Sequence, residues 1–127
     1  LYPGVEETLQ RFDEKQSALV TSKESDFAKT ILDRLGIAQY FDFIVGGEMV
    51  AGRKPHPRPV LLALEHFGTA PEESLMIGDS ENDILAGKAA RTHTCGVTYG
   101  FRTREQLLTS DPEYVVDRLG EIDEYFV

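Results

Sequence analysis

The stretch Ser74-Leu75-Met76-Ile77-Gly78-Asp79-Ser80-Glu81-Asn82-Asp83 decides how this chain folds and where its chemistry sits. Ser74–Ile77 is a short apolar run, the mark of a buried strand. It runs into Gly78-Asp79, and the segment from about Asn82 to Ala90 reads as a helix. An acid directly after a strand, then a second acid four residues later at a helix start, aims two carboxylates at one spot. Such a pair suits Mg²⁺, which takes one or two carboxylates and completes its shell with water and phosphate oxygens. The same residues also read as plain helix capping, with Asp79 or Ser80 as the cap and Asp83 in a first turn that favours negative charge.

The flanking segments repeat the strand–helix alternation. Ser17–Thr21 is a short apolar run with a polar end. After it Phe27, Ile31 and Leu35 recur at helical spacing, with Ala28 and Leu32 beside them, and Gly36 follows as a stop. Phe41–Val45 reads as a second strand ended by Gly46-Gly47, with Tyr40, Phe41 and Phe43 as core-strand aromatics. Pro55, Pro57 and Pro59 stiffen the next loop, and Pro59 opens a helix carrying Val60, Leu64 and Phe67. Thr92–Val97 reads as a fourth strand, Thr103–Thr109 as a short helix, Tyr114–Val116 as a last strand and Arg118–Phe126 as a closing helix. This pattern predicts an α/β fold: a three-layer, Rossmann-like parallel sheet with helices on both faces, joined by right-handed crossovers. Ligands in such sheets bind at the carboxyl ends of the strands.

At 127 residues the chain is one domain, residues 1–127. Its 41% hydrophobic and 28% charged residues exclude a disordered segment, and its longest apolar runs, such as Val60–Leu64, are far too short for a membrane helix. A formal charge of −9 repels nucleic-acid phosphates and anionic membranes, so neither is an expected partner. The single cysteine, Cys95, cannot form an internal disulfide and reads as buried strand packing. No basic leader with an apolar core opens the chain, and a cytoplasmic address is expected. The charge is uneven: six acids and only Arg118 lie between Asp111 and Val127, a solvated helix face. Met49–Leu64 holds no acid but carries Arg53, Lys54, His56 and Arg58, either a solvated loop or a place for an anion. His56, His66 and His93 show no metal-ligand spacing and read as surface or loop residues.

Two further positions matter at the strand ends. Thr21 and Ser22 close the first strand before a helix, where a hydroxyl and free N–H groups form a ready anion site; taken alone they read first as ordinary N-capping by Ser22 or Ser25. Lys54, in the proline-stiffened loop, offsets the charge of a phosphate or nearby carboxylates, or is a plain surface lysine.

The order Thr21, then Lys54-Pro55, then Gly78-Asp79-x-x-x-Asp83 resembles the second, third and fourth motifs of the haloacid dehalogenase-like phosphohydrolase superfamily. Leu1-Tyr2-Pro3-Gly4-Val5, Val45-Gly46-Gly47-Glu48, Lys54-Pro55-His56-Pro57-Arg58-Pro59, Pro71-Glu72-Glu73 and Gly96-Val97-Thr98-Tyr99-Gly100-Phe101 match its phosphoglycolate phosphatase-like branch, from Tyr2 to about Leu119. The resemblance implies a Mg²⁺-dependent phosphohydrolase that works on a small phosphorylated metabolite. In the family an aspartate attacks phosphorus to form an aspartyl-phosphate that water hydrolyses, and an aspartate two residues on serves as acid and base. Carried over, Thr21 and Lys54 are catalytic, Thr21, Ser22 and Lys54 bind the phosphoryl group, and Asp79 and Asp83 serve the metal. It leaves the partner state at monomer or homodimer, and a phosphomutase or a non-catalytic phosphate- or protein-binding relative as alternatives. A phosphoacceptor receiver domain has similar parts, but there the acids precede the lysine along the chain.

The first family motif, Asp-x-Asp at the end of a strand, is absent; Asp42 lies within a strand pattern and Asp13 in a short charged helix end. So is the cap, the helical segment that follows that motif in the family. The expectation is therefore that this chain is the C-terminal portion of a longer polypeptide, lacking the central first strand and the cap. Such a chain alone is expected to be inactive and to leave two facing strand edges open. Ala90-Arg91 stands where relatives carry alanine-glycine, and Arg58 where they often carry an acid.

Overall fold

Two parallel half-sheets carry the five strands of the described residues. The computed structural model describes residues 5–11, 15–52, 54–100 and 102–124; Asp13, Arg53 and Phe101, the flank before Val5 and the end of the expected closing helix lie outside them. In chain order the elements are α1 (Val5–Arg11), β1 (Ala18–Val20), α2 (Ser25–Leu35), β2 (Phe43–Val45), α3 (Arg58–Phe67), β3 (Leu75–Gly78), α4 (Glu81–Ala89), β4 (His93–Val97), α5 (Arg104–Leu108) and β5 (Tyr114–Val116), with 3-10 turns at Ala38–Tyr40, Pro71–Glu73 and Leu119–Glu124. β1 pairs in parallel with β2, setting Ala18 opposite Phe43 and Val20 opposite Val45. β3 pairs in parallel with β4, and β4 with β5, setting Gly78 opposite Gly96 and Val97 opposite Val116. The predicted parallel α/β alternation is therefore present. β1 and β3 do not bond each other; each presents an open edge.

Side chains of β3 alternate between two cores, as the pleat requires. Leu75 and Ile77 pack on the cluster of Cys95, Val97, Val116 and Leu119, joined by Val5 of α1. Met76 faces the other way, onto Val60 of α3 and Ala86 and Ala90 of α4. Helical elements thus cover both faces. Fully buried side chains such as Ile84, Leu107 and Val116 contribute about 1.5–3 kcal/mol each relative to exposure. Cys95 is buried, as expected, and burial pushes its thiol up to about 11.

Three sequence expectations are corrected. On α2 the buried residues are Ala28 and Leu32, whereas Phe27 is 56% exposed and Leu35 43%. The helix packs on β2, and those three-residue strands offer a narrow surface that the smaller stripe fills. Gly36 does end it, in the left-handed conformation at φ 75°. The second strand begins at Phe43, not Phe41: Tyr40 closes a 3-10 turn, and Asp42 is tied to Ser17, giving its N–H to the Ser17 carbonyl at 2.7 Å and accepting the Ser17 N–H at 2.9 Å. The closing segment is a 3-10 helix over Leu119–Glu124 rather than an α-helix; it includes Gly120, which costs an α-helix about 1 kcal/mol against alanine.

Candidate active site

Thr21, Ser22, Lys54, Asp79 and Asp83 line one cleft between β1 and β3, of about 990 Å³. Apolar side chains such as Leu19, Val60, Leu64 and Ile77 line it, and Thr21, Ser22, Asp79 and Asp83 lie at the end of it that follows the carboxyl ends of the two strands.

Lys54 joins the two half-sheets. Its loop runs from β2 to α3, and the Lys54–Pro55 peptide bond is cis. The ammonium donates to the Val20 carbonyl of β1 at 3.1 Å and lies 2.6 Å from Asp83 Oδ1 of α4. The two side chains are only 19% and 12% exposed, so this is a mostly desolvated ion pair. Asp83 uses its other oxygen to accept the Asp79 N–H at 3.2 Å, while its own N–H donates to the Ser80 hydroxyl at 3.4 Å. Ser80 is therefore the cap of α4, and Asp83 holds both the lysine and the turn after β3.

Asp79 is half-buried, and among the described residues no group bonds its carboxylate. Two glycines give the acids room. A Cβ at Gly78 would stand 2.5 Å from Asp83 Oδ2, and one at Gly100 would stand 2.4 Å from Asp79 Oδ2. The donor chemistry of the pair fits Mg²⁺, which needs no more than one or two protein carboxylates beside water and phosphate. Among the described residues no third acid, histidine or cysteine groups with them.

Thr21 follows β1, donates its N–H to the Val45 carbonyl at 3.0 Å and accepts the Lys23 N–H on its hydroxyl at 3.2 Å. The serine cap read as the alternative here is corrected. The N-cap of α2 is Glu24, which makes no side-chain cap bond, and Ser25 is the first helical residue. A residue that sequence reading passed over does the work: Glu48 Oε1 accepts the Ser25 N–H at 3.0 Å, and Oε2 accepts the Ser25 hydroxyl. Those bonds hold the Glu48 carboxyl below its ordinary range. The only trace in the sequence is an acid directly after Gly46-Gly47.

Each histidine has a partner of its own. His56 Nδ1 accepts the Arg58 N–H at 3.2 Å, His66 stacks on Phe43 with ring centroids 3.8 Å apart, and His93 faces Glu113.

Fold and geometry define the class first: a Rossmann-like α/β core with Thr21, Ser22, Asp79 and Asp83 at the carboxyl ends of its parallel strands. The model of the haloacid dehalogenase-like hydrolases matches residues 1–97, and the chain belongs to that family. It is 40% identical over 124 residues to the phosphoglycolate phosphatase of Escherichia coli K12, which spans 96% of this chain and 49% of that protein. The Salmonella choleraesuis phosphoglycolate phosphatase is 39% identical over the same shares. The crystal structure of a predicted phosphoglycolate phosphatase from Haemophilus somnus superposes with a TM-score of 0.90 at 34% identity, covering 98% of this chain and 56% of that one. A haloacid dehalogenase-like family hydrolase from Streptococcus pneumoniae superposes at 0.88 with 26% identity, over 100% of this chain and 60% of that one. The chain spans about half the length of the curated relatives it matches.

Proposed function

We propose that the protein to which this chain belongs is a Mg²⁺-dependent phosphatase of a small phosphorylated metabolite, with phosphoglycolate the first substrate to test. The observation that carries this is Lys54, bonded at once to the β1 carbonyl of Val20 and to Asp83, with Asp79 beside it at the mouth of the cleft. A fixed ammonium and two carboxylates at one spot answer the need of phosphoryl transfer, which is chiefly positioning and charge stabilisation.

In this reading Thr21 and Ser22 donate to phosphoryl oxygens, and Lys54 stabilises them together with the attacking carboxylate. Asp83 keeps Lys54 aimed. Asp79 and Asp83 hold Mg²⁺, which when bound offsets charge at phosphorus. The nucleophile is an aspartate of a strand that fills the cleft between β1 and β3, from a segment outside this sequence; the two open parallel edges and apolar walls support that placement. Its carboxylate oxygen bonds phosphorus as the ester oxygen departs with a proton from the neighbouring acid, and water then cleaves the aspartyl-phosphate. The chain alone is then inactive. The reading assigns the protein to the cytoplasm, as a monomer or homodimer without nucleic-acid or membrane partners. The charge of −9 on this chain speaks against phosphate-rich partners, and among the described residues no helix is long and apolar enough to cross a membrane.

The test is turnover of p-nitrophenyl phosphate and phosphoglycolate by the complete gene product with Mg²⁺. Asp79→Asn should lower turnover by about a hundredfold or more. Full activity in that variant would defeat the assignment of Asp79, and a gene with no Asp-x-Asp upstream would leave a non-catalytic binding domain instead.

A further inference from the structure

The loop after β2 and the turn after β1 are built against each other. Gly47 donates its N–H to the Lys23 carbonyl at 2.8 Å. A Cβ at Gly47 would stand 2.2 Å from the Ser22 carbonyl oxygen, and one at Gly46 2.4 Å from the Ser25 nitrogen, so only glycine admits this approach. Once there, the loop delivers Glu48, whose two oxygens take the N–H and the hydroxyl of Ser25. α2 has no cap bond of its own, since Glu24 supplies none. Segment 21–25 is thus pinned at both ends from β2: Thr21 by the Val45 carbonyl, and Ser25 by the Glu48 carboxylate. Between the pins, the Ser22 N–H and hydroxyl have no hydrogen-bond partner among the described residues.

We infer that Glu48 is a positioning residue for phosphate: by capping α2 from the neighbouring loop, it holds the Thr21–Ser22–Lys23 turn in the shape that presents Thr21 and Ser22 to a phosphoryl group. A backbone turn with few bonds of its own opens locally unless something outside it closes it. The cap also directs the anion. With the Glu48 carboxylate at the start of α2, the positive end of that helix is already answered, and a phosphate is left the Thr21–Ser22 side of the turn. The inference rests on the phosphate role proposed above for Thr21 and Ser22.

Thr21 and Ser22 touch the phosphoryl group before and during the reaction, so disturbing them weakens binding uniformly, raising KM with kcat kept. In the complete gene product, Glu48→Ala should raise both KM and the inhibition constant of inorganic phosphate roughly tenfold, with kcat within about twofold. Glu48→Gln, which keeps an acceptor for the Ser25 N–H, should recover most of that loss. A merely structural role would lower thermal stability and the active fraction while leaving KM and phosphate inhibition where they were, and that result overturns the inference. Hydrogen exchange reads the same contact without turnover. The amides of Lys23 and Ser25, both hydrogen-bonded here, should exchange at least roughly tenfold faster in Glu48→Ala, with α3 and α4 unchanged. Unchanged or uniformly faster exchange also overturns it. If the complete protein hydrolyses nothing and binds no phosphate, the proposed function fails, while the exchange pattern still decides whether Glu48 holds the turn.

Discussion

Lys54→Met should cost about 3 kcal/mol of stability, and a double-mutant cycle with Asp83→Asn should recover about 2 kcal/mol of the summed losses. At 2.6 Å the gross attraction is about 6 kcal/mol with an effective dielectric of ~20. Desolvation of both ions offsets much of that, so the pair itself adds little net stability. Removing one partner is another matter, because the other charge stays in place without compensation, at about 3–5 kcal/mol for a buried pair. Side chains 19% and 12% exposed put this pair at the lower end. Asp83→Asn still accepts the Asp79 N–H, so its loss comes from the stranded ammonium alone. In the double variant neither charge remains, and the penalty is relieved. For a domain of this size about 3 kcal/mol lowers the midpoint temperature by roughly 10 °C. Urea unfolding of the complete gene product, wild type and the three variants, at one pH and with matched m-values, measures all four corners. Additivity within about 0.5 kcal/mol would refute the reasoning, since it would mean that the two charges do not feel each other.

Two further outcomes follow from groups outside the site. His93 presents Nδ1 to Glu113 at 3.0 Å and Nε2 to the Glu72 carbonyl at 2.9 Å, so only the imidazolium donates to both. The bond to Glu113 raises its pKa, so its contribution is full below the ordinary histidine range and fades as pH rises through the raised value. His93→Gln should therefore destabilise more at pH ~5.5 than at pH ~8.5, by no more than about 1 kcal/mol for so exposed a pair, and an equal loss at both pH values would refute it. Cys95, fully buried and with its thiol pushed up to about 11, should stay inert to an aromatic disulfide reagent at pH ~8 until the protein unfolds. Native-state labelling faster than global unfolding would contradict its placement in the core.

Much of this arrangement is legible along the chain, for local reasons. β1 and β3 show as short apolar runs, and Gly36 as a left-handed helix end, because each depends on neighbours within a few positions. Lys54, Asp79 and Asp83 are legible as an ordered set, since a parallel sheet brings successive strand ends to one edge. What stays hidden depends on distance. Nothing near Glu48 shows that it caps a helix begun many residues earlier. The stripe Phe27–Ile31–Leu35 looks like a core face, but which stripe is buried depends on the width of the sheet beneath it. Asp42 shortens β2 by bonding Ser17, a partner outside any local window.

The gap between β1 and β3 also divides the molecule in kinetic terms. β1–α2–β2 and β3–α4–β4 each close through one short crossover, so each half-sheet is assembled from low-contact-order pairings and can consolidate alone. The seam between them is one place where distant stretches of chain must find each other, as α1 and the Leu119–Glu124 turn also do, and the candidate site lies across it. The geometry of the candidate site therefore depends on that seam, because a slight parting of the two half-sheets separates Lys54 from Asp83.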